Sequence, residues 1–378
     1  MNILLLHSSS DLYGASKILL YIVEAMISQN HQVSVMVSDE GLLIDELKKR
    51  GASVEVFPLG VLRRKYFKSS GIVNRIREML AAYSHIKAFI IINNISLVYS
   101  NTTAVLAGAF AAKRMQRKHI WHVHEIIATP KIVAWVLGKI LDRYSTRIIV
   151  VSDAVKAHWS KYVRSGIITT LHNGIDYREF LSTGPSIDLE LNRQKGTMVI
   201  GMIGRVHYWK GQEYFLRIAE ILYKSNKNVL FVMVGDVFHG YEYLYDNITQ
   251  MKKSFALEHV VRDLGYRTDI PNILRSFDIF VLPSILPDPF PTVILEAMAS
   301  AKVVVATNHG GAKEMIVDKE SGYLIPWDNE YLAASIIQEI INHTELRRDI
   351  GMKARERVVQ NYSNQAFRDN LLLVLNTL

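Results

Sequence analysis

Met198-Val199-Ile200-Gly201-Met202-Ile203 runs directly into Gly204-Arg205-Val206-His207-Tyr208-Trp209-Lys210-Gly211: six apolar residues, then a polar loop bounded by glycines, then a helical pattern. A strand that is apolar throughout, rather than alternating, belongs to a sheet whose two faces are both covered by helices. The same unit recurs along the chain. In the first half the β-rich runs are Asn2–His7, Gln32–Val37, Ser53–Phe57, Leu97–Ser100, His119–Val123 and Ile148–Val151. In the second half they are Met198–Ile203, Val229–Val234, Val260–Leu264, Ile279–Leu282, Val303–Ala306 and Gly322–Ile325. Helix-length segments between them predict right-handed βαβ units and two doubly wound α/β domains with parallel sheets.

The length of 378 residues fits two such domains better than one core. Asn173-Gly174, Gly184-Pro185 and the polar residues up to Gly196 read as an interdomain linker. The expected domains are 1–172 and 173–359, with a wholly helical tail from Asn329 whose last helix, about 360–378, returns to the first domain.

Composition narrows the chemistry. Apolar residues at 49% and charged residues at 21% describe a globular rather than a disordered chain. The absence of cysteine removes disulfides, thiolate metal sites and a cysteine nucleophile. The start MNILLLHSSSD lacks a basic region and reads as a first strand, so secretion is not indicated. From Ala88 to Ala112 no residue is charged, but Asn93, Asn94, Ser96, Ser100, Asn101, Thr102 and Thr103 interrupt the run. Helix end, buried strand and new helix fit it better than a membrane span.

Lysine and arginine outnumber aspartate and glutamate by 44 to 36, with two basic clusters in the first half. One is Arg63, Arg64, Lys65, Lys68, Arg75, Arg77 and Lys87, interleaved with Val61, Leu62, Tyr66, Phe67, Ile72, Ile76, Met79 and Leu80; the other is Lys113, Arg114, Arg117 and Lys118. Such stretches dock on anionic headgroups or are solvated helices with an ordinary core face, and the residues alone leave both open. The cations lack interleaved base-stacking aromatics on one evident face, which argues against nucleic acid.

Ligands of doubly wound sheets bind outside the carboxyl ends of the strands. After the first strand, Ser8 to Ala15 form a small-residue loop into a helix, able to present backbone N–H groups to an anion. After Ile203, Arg205 and Lys210 can both face a diphosphate, or simply flank a turn. The segment Pro283 to Ala299 holds three prolines within five residues, so a helix cannot start before Thr292, which is expected to cap Val293–Ser300. Asp288 then lies on a stiff loop, and Glu296 one turn into the helix on a face that can look back to it. That carboxylate reads equally as a buried cap or a helix-end ion pair. His124 stands at the carboxyl end of His119–Val123, while His122 is expected on the opposite side of the strand as a structural residue. Neither a DxD nor a GxxxxGK[ST] occurs, so neither a metal-diphosphate clamp nor a P-loop is expected.

Taken together, Tyr13-Gly14-Ala15, His124-Glu125, Asn173-Gly174-Ile175-Asp176, Gly204-Arg205 with Lys210-Gly211, Leu282-Pro283-Ser284, Asp288 to Glu296 with Ala297-Met298-Ala299, and Gly310-Gly311 with Glu314 resemble family 4 of the retaining glycosyltransferases. The resemblance spans nearly the whole chain. It implies the GT-B architecture, two Rossmann-like domains facing across a cleft whose closure brings His124 and Gly14 towards a donor held by the second domain. It implies a UDP- or GDP-sugar donor, a glycan or lipid-linked acceptor, no metal and no other cofactor. The location implied is cytoplasmic, peripheral on the inner face of the cell membrane, in cell-surface polysaccharide or glycoconjugate synthesis.

By the same resemblance, Arg205 and Lys210 bind the diphosphate, Glu296 the ribose, and Asp288 the transferred sugar at the first place of an EX7E motif. His124 is the cleft histidine near the reacting centre, Gly14 approaches the diphosphate or the acceptor, and Tyr266 and Arg267 offer backbone to the base. Phe290, Thr292 and Val293 complete the donor side. Two positions depart from the family pattern: aspartate for glutamate at 288, followed by Pro289 instead of glycine, and Tyr13 for the first glycine of the first loop. These departures keep two alternatives in view, a nucleotide-sugar epimerase or hydrolase of the same fold and a non-catalytic nucleotide-sugar or glycan-binding relative.

Overall fold

A computed structural model describes residues 1–12, 14–62, 69–164, 166–181, 183–237 and 240–377, with the side chains of 69–72 left aside. Tyr13 and the first basic cluster's residues 63–68 lie outside the described residues. The chain divides into two compact units, Met1–Gly174 with Asn364–Leu378, and Ile175–Ser363.

In the first unit, β1 (Asn2–His7), α1 (Gly14–Ser28), β2 (Gln32–Val37), α2 (Leu42–Lys49), β3 (Ser53–Val56), α3 (Ser69–Ile92), β4 (Leu97–Ser100), α4 (Ala107–Arg114), β5 (Lys118–Val123), α5 (Lys131–Tyr144), β6 (Arg147–Val150), α6 (Asp153–Trp159) and β7 (Ile168–Thr170) follow in turn. All strand pairs are parallel in the order β3-β2-β1-β4-β5-β6-β7, so the winding reverses between β1 and β4. Strand β7 was not expected; Ile168-Thr169-Thr170 is β-branched but too short to show a pattern.

The sheet is buried on both faces. On one, Ile3 and Leu5 of β1 pack with Leu19, Val23 and Met26 of α1. On the other, Leu4 and Leu6 meet Ala82, Ile86 and Ile90 of α3 and Ala107 and Ala111 of α4. The uncharged run Ala88–Ala112 resolves into the end of α3, β4 and α4, and no helix among the described residues is long and apolar enough to cross a membrane.

The second unit contains α7 (Arg178–Leu181), β8 (Met198–Ile203), α8 (Gln212–Ser225), β9 (Val229–Val234), α9 (Tyr243–Ser254), β10 (Val261–Asp263), α10 (Ile270–Ser276), β11 (Ile279–Leu282), α11 (Thr292–Ala299), β12 (Val303–Thr307), α12 (Ala312–Met315), β13 (Tyr323–Ile325), α13 (Glu330–Asn342) and α14 (Thr344–Asn361). Its sheet, also parallel, is ordered β10-β9-β8-β11-β12-β13. The segment read as a linker is anchored to this unit: Ser276 Oγ accepts from the Ile187 amide at 2.9 Å, and Arg193 donates to Asp278 at 2.6 Å. The last helix, α15 (Asn364–Asn376), buries Phe367, Leu371 and Leu375 in the core of the first unit beside α1.

Candidate functional site

In the second unit the winding reverses between β8 and β11, and the loops leaving β8, β11 and β12 gather at the carboxyl edge there. Crevices at such reversals are where doubly wound sheets bind ligands. Two close approaches require glycine. Gly211, which precedes α8, has φ +81°, and Gly310 has φ +61°; a Cβ on them would collide with the carbonyl oxygens of Pro283 and Asp288 respectively. Backbone bonds knit the loops: the Ile285 amide donates to the Trp209 carbonyl at 2.9 Å, and the Gly311 amide to that of Asp288 at 2.8 Å.

Within this frame Lys210 Nζ donates to Asp288 Oδ2, both side chains being largely buried. The ammonium also lies 4.3 Å from the centre of the Trp209 ring. The family resemblance implied separate tasks for the two residues; the fold brings the lysine of one loop onto the carboxylate of another. Arg205 is half-buried, and its carbonyl accepts from Gln212 Nε2 at 2.9 Å. Glu296 is half-buried in the second turn of α11. Thr292 is not the cap: Pro291, extended at φ −74° and ψ 99°, takes that place, and no side chain caps the helix. The ring that fixes Pro291 starts the helix one residue earlier than the threonine signal suggests. Thr292 and Val293 are half-buried in the first turn, and Phe290 is buried with its ring 6.0 Å from that of Tyr362.

His309, not singled out from the sequence, lines the same edge. Its Nε2 donates to the Ser284 carbonyl at 2.6 Å, and burial lowers its pKa against a raising influence from Asp288. The hydroxyl of Ser284, itself buried, has no hydrogen-bond partner among the described residues. Tyr266 is exposed beyond the edge strand β10, and the Arg267 side chain is held by Asp269 at 2.8 Å and Glu190 at 2.6 Å. A role for Arg267 towards a base therefore falls to its backbone.

In the first unit the carboxyl ends of β1, β4 and β5 carry a connected polar chain. Ser16 Oγ donates to Asp11 Oδ1 at 3.2 Å, so it accepts from His7 Nε2 at 3.0 Å. His7 Nδ1 then accepts from Asn101 Nδ2 at 3.2 Å, and the Asn101 carbonyl accepts from Nε2 of His124 at 3.0 Å. Because a carboxylate ends the chain, every proton direction follows, and His124 carries its proton on Nε2 with Nδ1 as acceptor. Burial holds His7 down to about 4 and His124 down to about 3, with His7 adding to the latter. Both rings are neutral at physiological pH. Glu125 accepts from the amides of His124 at 3.0 Å and Thr103 at 3.3 Å and from the Thr102 hydroxyl, while burial raises its pKa.

His122 does not point away from His124. Their rings are 4.3 Å apart, because residues two apart in a strand share a face. It is buried, bonded at 2.9 Å to the Tyr99 hydroxyl through Nδ1, with its Nε2 unpartnered among the described residues. Gly14 opens α1 and is exposed.

Residues 13–179 match the family described as "Glycosyltransferase Family 4", and residues 186–357 the family described as "Glycosyl transferases group 1". The chain belongs to the group 1 glycosyltransferases. Its fold is GT-B, shared with a crystal structure of the Anabaena protein HepE in complex with UDP and glucose (TM-score 0.85, 26% identity, 100% of this chain and 99% of that one covered). A UDP complex of the same protein gives TM-score 0.85 at 25% identity, with both chains covered completely. This glycosyltransferase is also 26% identical over 332 residues, 83% of it and 81% of the relative, to the UDP-Gal:alpha-D-GlcNAc-diphosphoundecaprenol alpha-1,3-galactosyltransferase of Escherichia coli. The capsular polysaccharide biosynthesis glycosyltransferase CapM of Staphylococcus aureus is 26% identical over 257 residues, 65% of each chain.

The group 1 glycosyltransferase thus has a polar cluster at the strand ends of each unit that its sequence half disclosed. Asn101 was visible only as an interruption of an uncharged run, although its place directly after β4 was the signal that mattered.

Proposed function

We propose that this glycosyltransferase transfers a hexose-type sugar from a UDP- or GDP-sugar to a hydroxyl of a glycan or lipid-linked acceptor, with retention of anomeric configuration, in cell-surface polysaccharide or glycoconjugate synthesis. The observation that carries the reading is the meeting of the Lys210 and Asp288 loops with the uncapped start of α11 at the winding reversal of the second sheet. An uncapped helix start with a largely buried lysine bonded to the loop that leads into it suits a diphosphate. The UDP complexes of HepE and the UDP-galactose named for the Escherichia coli relative support the donor class.

In this reading Arg205 and Lys210 hold the diphosphate, with Asp288 orienting Lys210 and reaching the sugar. Glu296 accepts from the ribose hydroxyls, Phe290, Thr292 and Val293 line the donor, and the backbone at Tyr266 and Arg267 meets the base. His124 and Gly14 serve the reacting sugar and the diphosphate. The bond from the anomeric carbon to the diphosphate breaks as the acceptor oxygen bonds on the same face, and the hydroxyl proton passes to a departing phosphate oxygen. Cations and helix amides stabilise that leaving group, so no metal is invoked. The place of action is the cytoplasmic side of the cell membrane.

The test is a panel of UDP- and GDP-sugars offered with lipid-linked and free glycan acceptors, read by mass spectrometry. An acceptor heavier by one hexose is expected, with the donor's anomeric configuration retained in the product's proton NMR spectrum. Free sugar alone, or no nucleotide release with any donor, sinks the proposal.

A further inference from the structure

We propose that the outer face of α3, α4 and α5 in the first unit docks on an anionic lipid surface, with apolar residues of α3 and α5 entering the headgroup region. These helices share one side of the sheet. Helices α3 and α4 pack on the Leu4–Leu6 face, and Phe110 of α4 meets Tyr144 of α5 with ring centres 4.8 Å apart. Helix α4 is nearly all buried between its neighbours, exposing only Lys113 and Arg114.

The flanking helices turn apolar side chains outward: Val73, Ile76 and Leu80 at helical spacing on α3, and Ile132, Trp135 and Val136 on α5. Each is between 42% and 63% exposed, on helices that already bury another face. Apolar side chains turned outward at helical spacing on two helices of one side of the sheet mark an interaction site.

Charge selects the partner. The exposed charges on the three helices, among the described residues, are the cations Arg77, Lys113, Arg114, Lys131, Lys139 and Arg143. The acids of these helices, Glu78 and Asp142, are less exposed and engaged, by Arg75 and by the Arg164 amide at 2.9 Å. A second copy of this face would set cations against cations, which costs affinity. A bilayer with anionic headgroups offers hydrocarbon and phosphate together at the depth an interfacial helix needs.

Position gives the face a use. Crossover helices run back from the carboxyl ends of their strands, so the first turns of α3 and α5 lie towards the edge where His124 ends β5. A lipid-linked acceptor held in that membrane would present its sugar at this edge. The inference rests in this respect on the acceptor reading above.

Flotation of the purified chain with phosphatidylcholine vesicles, with and without one-third phosphatidylglycerol, tests it. The chain is expected to float only with anionic vesicles. The pairs Ile132→Ser with Trp135→Ser, and Val73→Ser with Ile76→Ser, are each expected to cut the bound fraction at least fivefold while the thermal shift with UDP is kept. Lys139→Glu with Arg143→Glu is expected to do the same, and to be mimicked by high salt. Flotation without regard to lipid charge, no flotation, or variants that float like the parent overturn the proposal. So does a change of oligomeric state in the serine variants, which would make the face a protein interface. A chain that floats but transfers no sugar keeps the docking face and loses the transferase reading; one that glycosylates a soluble acceptor without floating does the reverse.

Discussion

The Nε2 of His124 stands 3.0 Å from the side-chain oxygen of Asn101, and that amide's nitrogen stands 3.2 Å from His7. One side chain thereby fixes the tautomers of two histidines. Asn101→Ala is expected to leave two ring nitrogens unpaired at a cost of about 1–3 kcal/mol each, measured by urea unfolding. Turnover should fall while UDP affinity stays within twofold. In nitrogen-15 spectra the parent should show His124 protonated on Nε2. A predominant Nδ1–H form there would break the assigned chain.

The Lys210–Asp288 pair is expected to behave as a unit. Lys210→Met alone strands a buried carboxylate and should cost about 3–5 kcal/mol. Lys210→Met with Asp288→Asn should recover most of that stability without recovering activity. A double-mutant cycle by denaturant titration measures the coupling, and additive single effects would count against a direct pair.

Glu296→Ala is expected to weaken UDP binding by about tenfold to a hundredfold, the worth of hydrogen bonds to a charged acceptor. Isothermal calorimetry reads it directly, and unchanged affinity would remove the ribose role. Glu296→Gln should lose less, since it keeps an acceptor oxygen.

Stability should fall on mild acidification. His7 and His119 are buried and held down to about 4 and about 3, from an ordinary 6.5. Between pH 6.5 and 4 the unfolded chain binds protons on these rings that the folded chain refuses. Stability is therefore full above pH 6.5 and declines as pH falls towards 4, by about 1.4 kcal/mol per pH unit for each ring. Urea midpoints at pH 7.5 and 5 check the sign. His119→Gln should flatten the slope by one ring's share.

Strands such as β8, β9 and β11 were readable because they are apolar along their length, and most strands came within a residue of their observed ends. What escaped was mainly what depends on distance in the chain. Lys210 and Asp288 are 78 residues apart, and nothing local says that their loops meet. His309 and Asn101 acquire meaning only from strand order. The misplacement of His122 was a local error, since the strand's own period of two already set it beside His124. Thr292 misled because a threonine before an apolar run reads as a cap, whereas the preceding proline already supplies the turn.

The return of α15 has a temporal consequence. Residues 175–363 form the second unit without interruption, whereas Phe367, Leu371 and Leu375 close the core of the first. As the chain leaves the ribosome, the later-made unit can finish folding while the earlier one still lacks its last buried side chains. The first half must wait, partly assembled, for translation of residues 364–376. Truncation or a bulky fusion there would strand it in that waiting state, though every residue near His124 were intact.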